Sequence, residues 1–140
     1  MWYTQDKMGT GMLYRIEPES SIPIYEQIVA QVIFGVASGA LVVGELIPSV
    51  RHMAQRLTVH PNTVARAFQE LERRGVVTTR RGKGMEVTPD GPRLCQDARQ
   101  EIVRKRIREA LREAASSALP AEEIRRLVEE ELAEANGKTS

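Results

Sequence analysis

The alternation of apolar and polar positions predicts five helices and one short β-hairpin along this 140-residue chain. Within each predicted helix the apolar residues recur at steps of three and four, so they share one face. The predicted helices are Pro23–Ser38, Val50–Leu57, Pro61–Arg74, Leu94–Ala115 and a last one that starts at Pro120 and stops at Asn136-Gly137.

Residues at the ends of the first helix set its expected limits. Ser20 or Ser21 is a suitable N-cap, and Pro23 suits the first turn because its missing N–H costs nothing there. Gly39 is the expected stop. Since the apolar positions form a single stripe, we expect one buried face and a supporting role.

The second and third helices are joined by about three residues, Thr58–His60, which is typical of a helix-turn-helix. Ser49 is placed to cap the second helix, and Pro61 begins the third. Val59 is the expected apolar plug of the turn, and Gly75 is expected to end the third helix.

A basic hairpin is predicted next. Val76–Arg80 is rich in β-branched residues and predicts a strand. Arg81-Gly82-Lys83-Gly84 predicts a glycine-rich turn, and Met85–Thr88 predicts the return strand. The short segment Glu45–Ile47 is a candidate edge strand that would pair with this hairpin. Helix, turn, helix and hairpin in this order predict a winged helix-turn-helix.

Charge is distributed unevenly although the net charge is only +1. Residues 46–93 carry nine basic and four acidic side chains, against a net −3 before them and −1 after them. The positive excess therefore lies in the predicted winged unit, where a polyanion would bind. Cys95 is the single cysteine, which excludes an intramolecular disulfide and favours the cytoplasm. No run is long and apolar enough to span a membrane.

Several polar residues are candidates for DNA contact. A helix-turn-helix places the N-terminal end of its second helix in the major groove. Asparagine can bond an adenine edge, threonine a phosphate or a thymine methyl, and arginine a guanine or a phosphate. The candidates are Ser49 and Arg51 at the start of the second helix, His60, Asn62, Thr63 and Arg66 in the third, and Arg81, Gly82, Lys83 and Gly84 at the hairpin tip.

Each candidate also has a purely structural interpretation. Ser49 can be only a cap, and Asn62 and Thr63 can satisfy first-turn amides. Arg66 can sit in solvent or pair with Glu70 at i+4. Taken together with the basic hairpin tip, DNA contact is the preferred interpretation.

Four strings carry a resemblance to a known family. They are Pro48-Ser49-Val50-Arg51, Leu57-x-Val59-x-Pro61-Asn62-Thr63-Val64-x-Arg66-Ala67, Leu71-Glu72-x-x-Gly75 and Arg81-Gly82-Lys83-Gly84. Together they resemble the DNA-binding domain of the GntR family of bacterial repressors. Pro23-Ile24-Tyr25-Glu26-Gln27-Ile28 and the short two-helix tail are similar to its YtrA-like subfamily. The resemblance covers about residues 12–135.

The resemblance implies a homodimer that binds a two-fold symmetric operator and controls nearby transporter genes. It implies DNA contacts at Arg51, Asn62, Thr63, Arg66 and the tip Gly82-Lys83-Gly84. The sequence departs from the family pattern at three positions of the helix-turn-helix. Thr58 replaces a frequent glycine, His60 a common asparagine, and Ala65 an arginine found in other branches.

We expect three segments: a flexible extension (1–11), the winged helix-turn-helix domain (12–92) and a helical dimerisation region (93–140). Two amphipathic helices cannot cover their own apolar faces, so the last segment must pack on a second copy or back on the first domain, and a dimerising arm is the simpler expectation. The 47 residues from 94 to 140 are too few for an enclosed effector pocket in one subunit, so a site for an effector, whose identity stays unknown, either lies between subunits or is missing. The region thus also remains a candidate for an effector response.

The expected fold is mainly α, with a winged helix-turn-helix and a two-helix arm, and the expected function is DNA-binding regulation. The alternative is a winged-helix protein-interaction module without specific DNA binding. An enzyme is not expected, since no nucleophile with a base and no phosphate loop opening a helix is present. His52, His60 and Cys95 match no metal-ligand spacing, so neither metal nor cofactor is expected.

Overall fold

A computed structural model describes residue 12 and residues 14–139, with side chains up to residue 137. The predicted flexible extension, residues 1–11, lies outside the described residues. The elements are α1 (Ile24–Ser38), α2 (Val50–Leu57), α3 (Pro61–Arg73), β1 (Val77–Arg80), β2 (Gly84–Val87), α4 (Gly91–Ser116) and α5 (Ala121–Thr139). The predicted mainly helical fold with a small two-stranded sheet is confirmed.

Helix α1 is the centre of the first compact unit, which extends to Gln100. Every residue from Gln27 to Ile33 is buried, as are Gly35 and Val36. The expectation of a single buried face was therefore wrong. The polar residues that seemed to mark an outer face, Gln27 and Gln31, are only 7% and 2% exposed.

Those two glutamines hold the chain that precedes α1. The Gln27 side chain accepts from the backbone N–H of Glu17 at 2.8 Å and donates to the Glu17 carbonyl at 3.1 Å. One turn later, Gln31 accepts from the Arg15 N–H at 2.9 Å and donates to the Arg15 carbonyl. Each amide thus bonds both backbone groups of one residue, so its burial carries no unpaired polar group.

Met12 covers the next turn of α1. Its side chain is fully buried, and a Cβ placed on Gly35 would lie 2.4 Å from the Met12 sulfur. Glycine at position 35 therefore allows the preceding chain to pack directly against the helix backbone.

The end of α1 matches its sequence, whereas its beginning does not. Gly39 adopts the left-handed conformation with φ 89° and caps the C-terminus as predicted. The N-cap is Pro23, with no side-chain hydrogen bond to the helix among the described residues, so the prediction of Ser20 or Ser21 was wrong. Ser20 instead accepts a hydrogen bond from the Ile22 N–H at 3.1 Å, a local turn that competes with capping.

The hairpin pairs antiparallel, with Arg80 opposite Gly84 and Val77 opposite Val87. The predicted edge strand Glu45–Ile47 is confirmed: Leu46 bridges to Glu86, and two backbone hydrogen bonds of 3.0 Å flank that bridge. The edge segment ties the α1–α2 connection to the wing.

Helix α4 begins at Gly91, three residues before the predicted start at Leu94. Its first turns belong to the winged unit, because Gly91 and Cys95 are buried there. A Cβ on Gly91 would lie 3.1 Å from Val87 Cγ1 and 3.3 Å from the Val76 carbonyl oxygen, so glycine lets the helix start against the wing base.

The second compact unit begins at Glu101 and contains most of α4 together with α5. The two helices are separated by a turn in which Ala118 has φ 70°. Asn136-Gly137 does not stop α5, which continues to Thr139, because a glycine lowers helix stability by about 1 kcal/mol without forbidding the conformation. Among the described residues, no helix is both long and apolar enough to cross a membrane.

Candidate nucleic-acid interface

Ser49 fixes the start of α2. Its hydroxyl accepts a hydrogen bond from the His52 N–H at 3.0 Å, which confirms the predicted cap. Ser49, Arg51 and His52 are exposed, while Met53 and Ala54 of the same helix are buried. The cap therefore determines which residues of the first turn face outwards.

The turn between α2 and α3 depends on a residue in an unfavourable conformation. Thr58, which replaces a glycine frequent in the family, has φ 55° and ψ 50° and therefore lies in the left-handed region. Its N–H and that of Val59 bond back to carbonyls of α2. Val59 is half-buried beneath the turn, as expected of a plug.

His60 is the N-cap of α3. Its Nδ1 accepts a hydrogen bond from the Asn62 N–H at 3.0 Å, so the ring is held against the helix start and Nε2 is left to donate. Sequence reasoning assigned His60 to DNA contact and did not anticipate this capping role. The two roles are compatible, since capping occupies only one ring nitrogen.

Helix α3 buries one side and exposes the other. Val64, Ala67, Phe68 and Leu71 are buried, and their steps of three, one and three place them on one face, as the helical spacing of apolar residues predicts. Asn62 and Arg66 are exposed, and Thr63 is half-buried. Since residues four apart lie on the same side of a helix, Asn62 and Arg66 form adjacent positions on one exposed strip.

Glu70 does not pair with Arg66. Its carboxylate bonds Arg73 at 2.6 and 2.9 Å and Arg74 at 2.7 Å. Hydrogen bonds from Arg73 and then Arg74 lower the pKa of Glu70 from 4.5 to about 2. The same pairing raises the pKa of Arg73. The i+4 interpretation of Arg66 is thereby excluded in this structure.

Arg66 instead lies over an aromatic ring. Its Cζ is 3.8 Å from the centroid of Tyr25, in the first turn of α1. The sequence patterns give no indication of this contact. No local signal links two residues so far apart in the chain, so the pattern alone had no means of finding it.

The hairpin tip is open. Gly82 and Gly84 have φ values of 78° and 118°, which residues with a side chain rarely adopt. A Cβ on either glycine would meet no atom within 4 Å. Arg81, Gly82, Lys83 and Gly84 are all exposed. Arg80, at the base of the tip, pairs with Glu86.

Ion pairing separates the basic residues of this region into two groups. Arg73 and Arg74 share an ion pair with Glu70, and Arg80 is paired with Glu86. Among the residues that the structure describes, those that form no ion pair include Arg51, Arg56, Arg66, Arg81 and Lys83. Four of these five are predicted contact residues, and each keeps its donors available for an anionic ligand.

Comparison with known proteins agrees with this arrangement. Residues 24–87 match the family described as "Bacterial regulatory proteins, gntR family". The HTH-type transcriptional repressor YtrA of Bacillus subtilis (strain 168) is 30% identical over 125 residues, covering 89% of this chain and 96% of that protein. The chain belongs to the GntR family. The predicted family and its YtrA-like branch are confirmed.

Solved structures of GntR proteins share the fold. A GntR family transcriptional regulator from Listeria monocytogenes has a TM-score of 0.64 at 30% identity, covering 80% of this chain and 97% of that one. YtrA from Sulfolobus acidocaldarius, a GntR-family transcription factor, has a TM-score of 0.52 at 32% identity, covering 69% and 94%. This GntR chain is therefore a DNA-binding transcriptional regulator, and its family is one of transcription regulators.

Proposed function

We propose that this GntR protein is a cytoplasmic repressor that binds a two-fold symmetric double-stranded operator as a homodimer. The observation that carries the proposal is the set of unneutralised cations around α2, α3 and the wing tip. Because neighbouring arginines are paired and these are not, the surface keeps its charge where a phosphate backbone would approach.

We propose the following division of contacts. Helix α3 presents His60, Asn62, Thr63 and Arg66 to the major groove. Ser49 and Arg51 dock the start of α2 on the backbone. The tip Arg81-Gly82-Lys83-Gly84 provides a second grip on phosphates, since its two glycines allow close approach of the backbone.

The dimer proposal rests on the second unit. Large apolar side chains there are 39–58% exposed in the single chain. They are Val103, Ile107, Leu111, Leu119, Leu127, Val128 and Leu132. Exposed apolar side chains in this number on both helices mark an interaction site, and in a two-fold dimer each copy covers the same surface of the other. We therefore propose residues 93–140 as the dimerisation region.

DNA binding is tested by retardation and footprinting on the DNA that flanks the protein's own gene. We expect specific retardation, a footprint with two-fold symmetry and a steep loss of affinity as salt rises, because bound cations are released from the phosphates. Absence of retardation at low salt contradicts the proposal. Binding to a protein partner with no such salt dependence would favour the interaction-module alternative.

Dimerisation is tested by Ile107→Asp, which places a charge on the exposed apolar side of α4. We expect a monomer by analytical ultracentrifugation and a loss of operator affinity of at least about 100-fold, because linked half-sites gain on that order from avidity. Lys105→Asp adds the same carboxylate at a polar position and serves as the control. A stable Ile107→Asp dimer would rule out this surface.

A further inference from the structure

The contact between Tyr25 and Arg66 joins two elements with different tasks. Tyr25 is half-buried in the first turn of α1, and Arg66 is exposed on α3. The guanidinium carbon lies 3.8 Å from the ring centroid, well inside the range of a cation–π interaction. The Tyr25 hydroxyl bonds the neighbouring Glu26 carboxylate at 3.3 Å, so the phenol is held at its far end as well.

The chemistry of this contact differs from that of an ion pair. A guanidinium that lies over a ring uses its π face, while its five N–H donors point outwards in its own plane. A carboxylate partner would occupy those same donors. The ring thus restrains Arg66 and leaves its hydrogen-bonding edge available for a phosphate or a guanine.

The acidic residue at i+4 on the same helix is already occupied. Glu70, one turn along α3 from Arg66, is bonded by both Arg73 and Arg74. Arg66 is therefore held by an aromatic face rather than withdrawn towards a carboxylate. Its position beside Asn62 on the exposed strip of α3 is maintained from outside the helix-turn-helix.

We propose that Tyr25 is a positioning residue for DNA recognition, whose ring holds the Arg66 guanidinium in place before DNA binds. This inference rests on the proposed function, because it assigns Tyr25 a role through a predicted DNA contact. Part of the conformational entropy that the long Arg66 side chain loses on binding DNA is then already lost in the free protein. Operator affinity therefore depends on α1 as well as on α3.

A double-mutant cycle on the full-length protein tests the inference. Tyr25→Leu is expected to weaken operator binding by about 3- to 5-fold, the range of an exposed cation–π contact. In an Arg66→Ala background the same change is expected to have no further effect. Arg51→Ala is the matched control, and its loss should simply multiply with that of Tyr25→Leu.

Two further measurements distinguish a positioning role of Tyr25 from an effect on folding: a conservative substitution that keeps the ring, and an NMR measurement on the free protein. Tyr25→Phe keeps the ring and is expected to restore wild-type affinity, although it removes the bond to Glu26. In the free protein, NMR should show Arg66 side-chain protons shifted upfield by the ring, with the shift retained in Tyr25→Phe and lost in Tyr25→Leu. Thermal unfolding checks that both variants fold.

The outcomes distinguish this inference from the proposed function. If the wild type fails to bind operator DNA, the proposed function falls and the inference falls with it. If the wild type binds but Tyr25→Leu has no effect, or weakens Arg66→Ala equally, only the positioning role is overturned. The same holds if Tyr25→Phe fails to restore binding while folding normally.

Discussion

The winged unit and the α4–α5 segment bury their apolar residues to opposite extents. In the winged unit α1 is covered on all sides, and Leu71, Val64 and Val87 are at most 1% exposed. In the segment from Glu101 onwards, Leu132 is 58% and Ile107 54% exposed. Both segments have apolar residues at helical spacing in the sequence, so this spacing alone does not determine whether a stripe is covered within one chain.

The difference shows which part of the protein covers the apolar side chains of each segment. The winged unit supplies its own cover through the residues that precede α1 and through the wing. The two-helix segment has exposed apolar positions on both helices and depends, in our proposal, on a second chain. One half of the protein is therefore expected to be stable at any concentration, whereas the stability of the other depends on association.

The largest expected effect is on stability, and it differs between a buried leucine and an exposed one. Leu71→Ala should lower the free energy of unfolding of the winged unit by about 2–5 kcal/mol, because it leaves a cavity in a closed core. Leu132→Ala should shift the unfolding midpoint only in a manner that depends on protein concentration. Denaturant titrations at two concentrations measure both. Equal, concentration-independent losses would remove the contrast.

The next effect concerns the two kinds of cation in the wing. Lys83→Ala should weaken operator and unrelated DNA about equally, and reduce the salt slope by about one, if its amine contacts only phosphate. Arg80→Ala should change affinity less, because Arg80 already pairs with Glu86. Titrations at several salt concentrations measure the slopes. A larger loss for Arg80→Ala would reverse our assignment of the tip.

A smaller effect is expected on the pH dependence of stability, through the ion pairs that Glu70 forms on α3. Pairing lowers the pKa of Glu70 from 4.5 to about 2, so the ionised carboxylate stabilises the fold above pH 4.5. That stabilisation is lost as the pH falls through 4.5 towards 2. Glu70→Gln should cost about 1 kcal/mol or less at pH 7, the size of a surface ion-pair network, and the cost should disappear only once the pH is below about 2.

The control for this titration is Glu72→Gln on the same helix. Glu72 accepts a hydrogen bond from the Thr79 hydroxyl at 3.0 Å and forms no ion pair among the described residues. Its substitution removes a carboxylate from the same helix without breaking an ion pair. A cost of Glu70→Gln that persists unchanged at pH 2 would contradict the ion-pair explanation.

The smallest expected effect compares two strained residues, one in each segment. Thr58 and Ala118 are the non-glycine residues with positive φ among those described, at 55° and 70°. Thr58→Gly should raise the free energy of unfolding by up to about 1 kcal/mol, with the larger gain at the β-branched residue and a smaller one for Ala118→Gly. Thermal unfolding measures both, and destabilisation by Thr58→Gly would show that its side chain has a role of its own.

Much of the winged unit was predictable because its signals are local. Ser49, Pro61 and Gly39 mark helix ends through their own backbone and side-chain chemistry, and each was assigned correctly. The family strings then supplied the function. The residue-level contacts with DNA stay predictions, since their support is exposure and unpaired charge.

The features that were missed depend on contacts between distant residues. Gln27 and Gln31 occupy positions that look outward by periodicity, yet each is buried by bonds to residues 15–17. The stacking of Arg66 on Tyr25 likewise crosses from α1 to α3. One general signal was available, because α1 carries no charged residue after Glu26, which is unusual for a helix with a solvated face.

The burial of Cys95 has a practical consequence for following the motions of this protein. The side chain is fully covered, and burial raises the pKa of its thiol to about 11. An alkylating reagent therefore reacts only after the first turns of α4 leave the winged unit, and the chain has no other cysteine to label. The rate of labelling at Cys95 therefore measures how often the wing base and the first turns of α4 separate, both in the presence and in the absence of DNA.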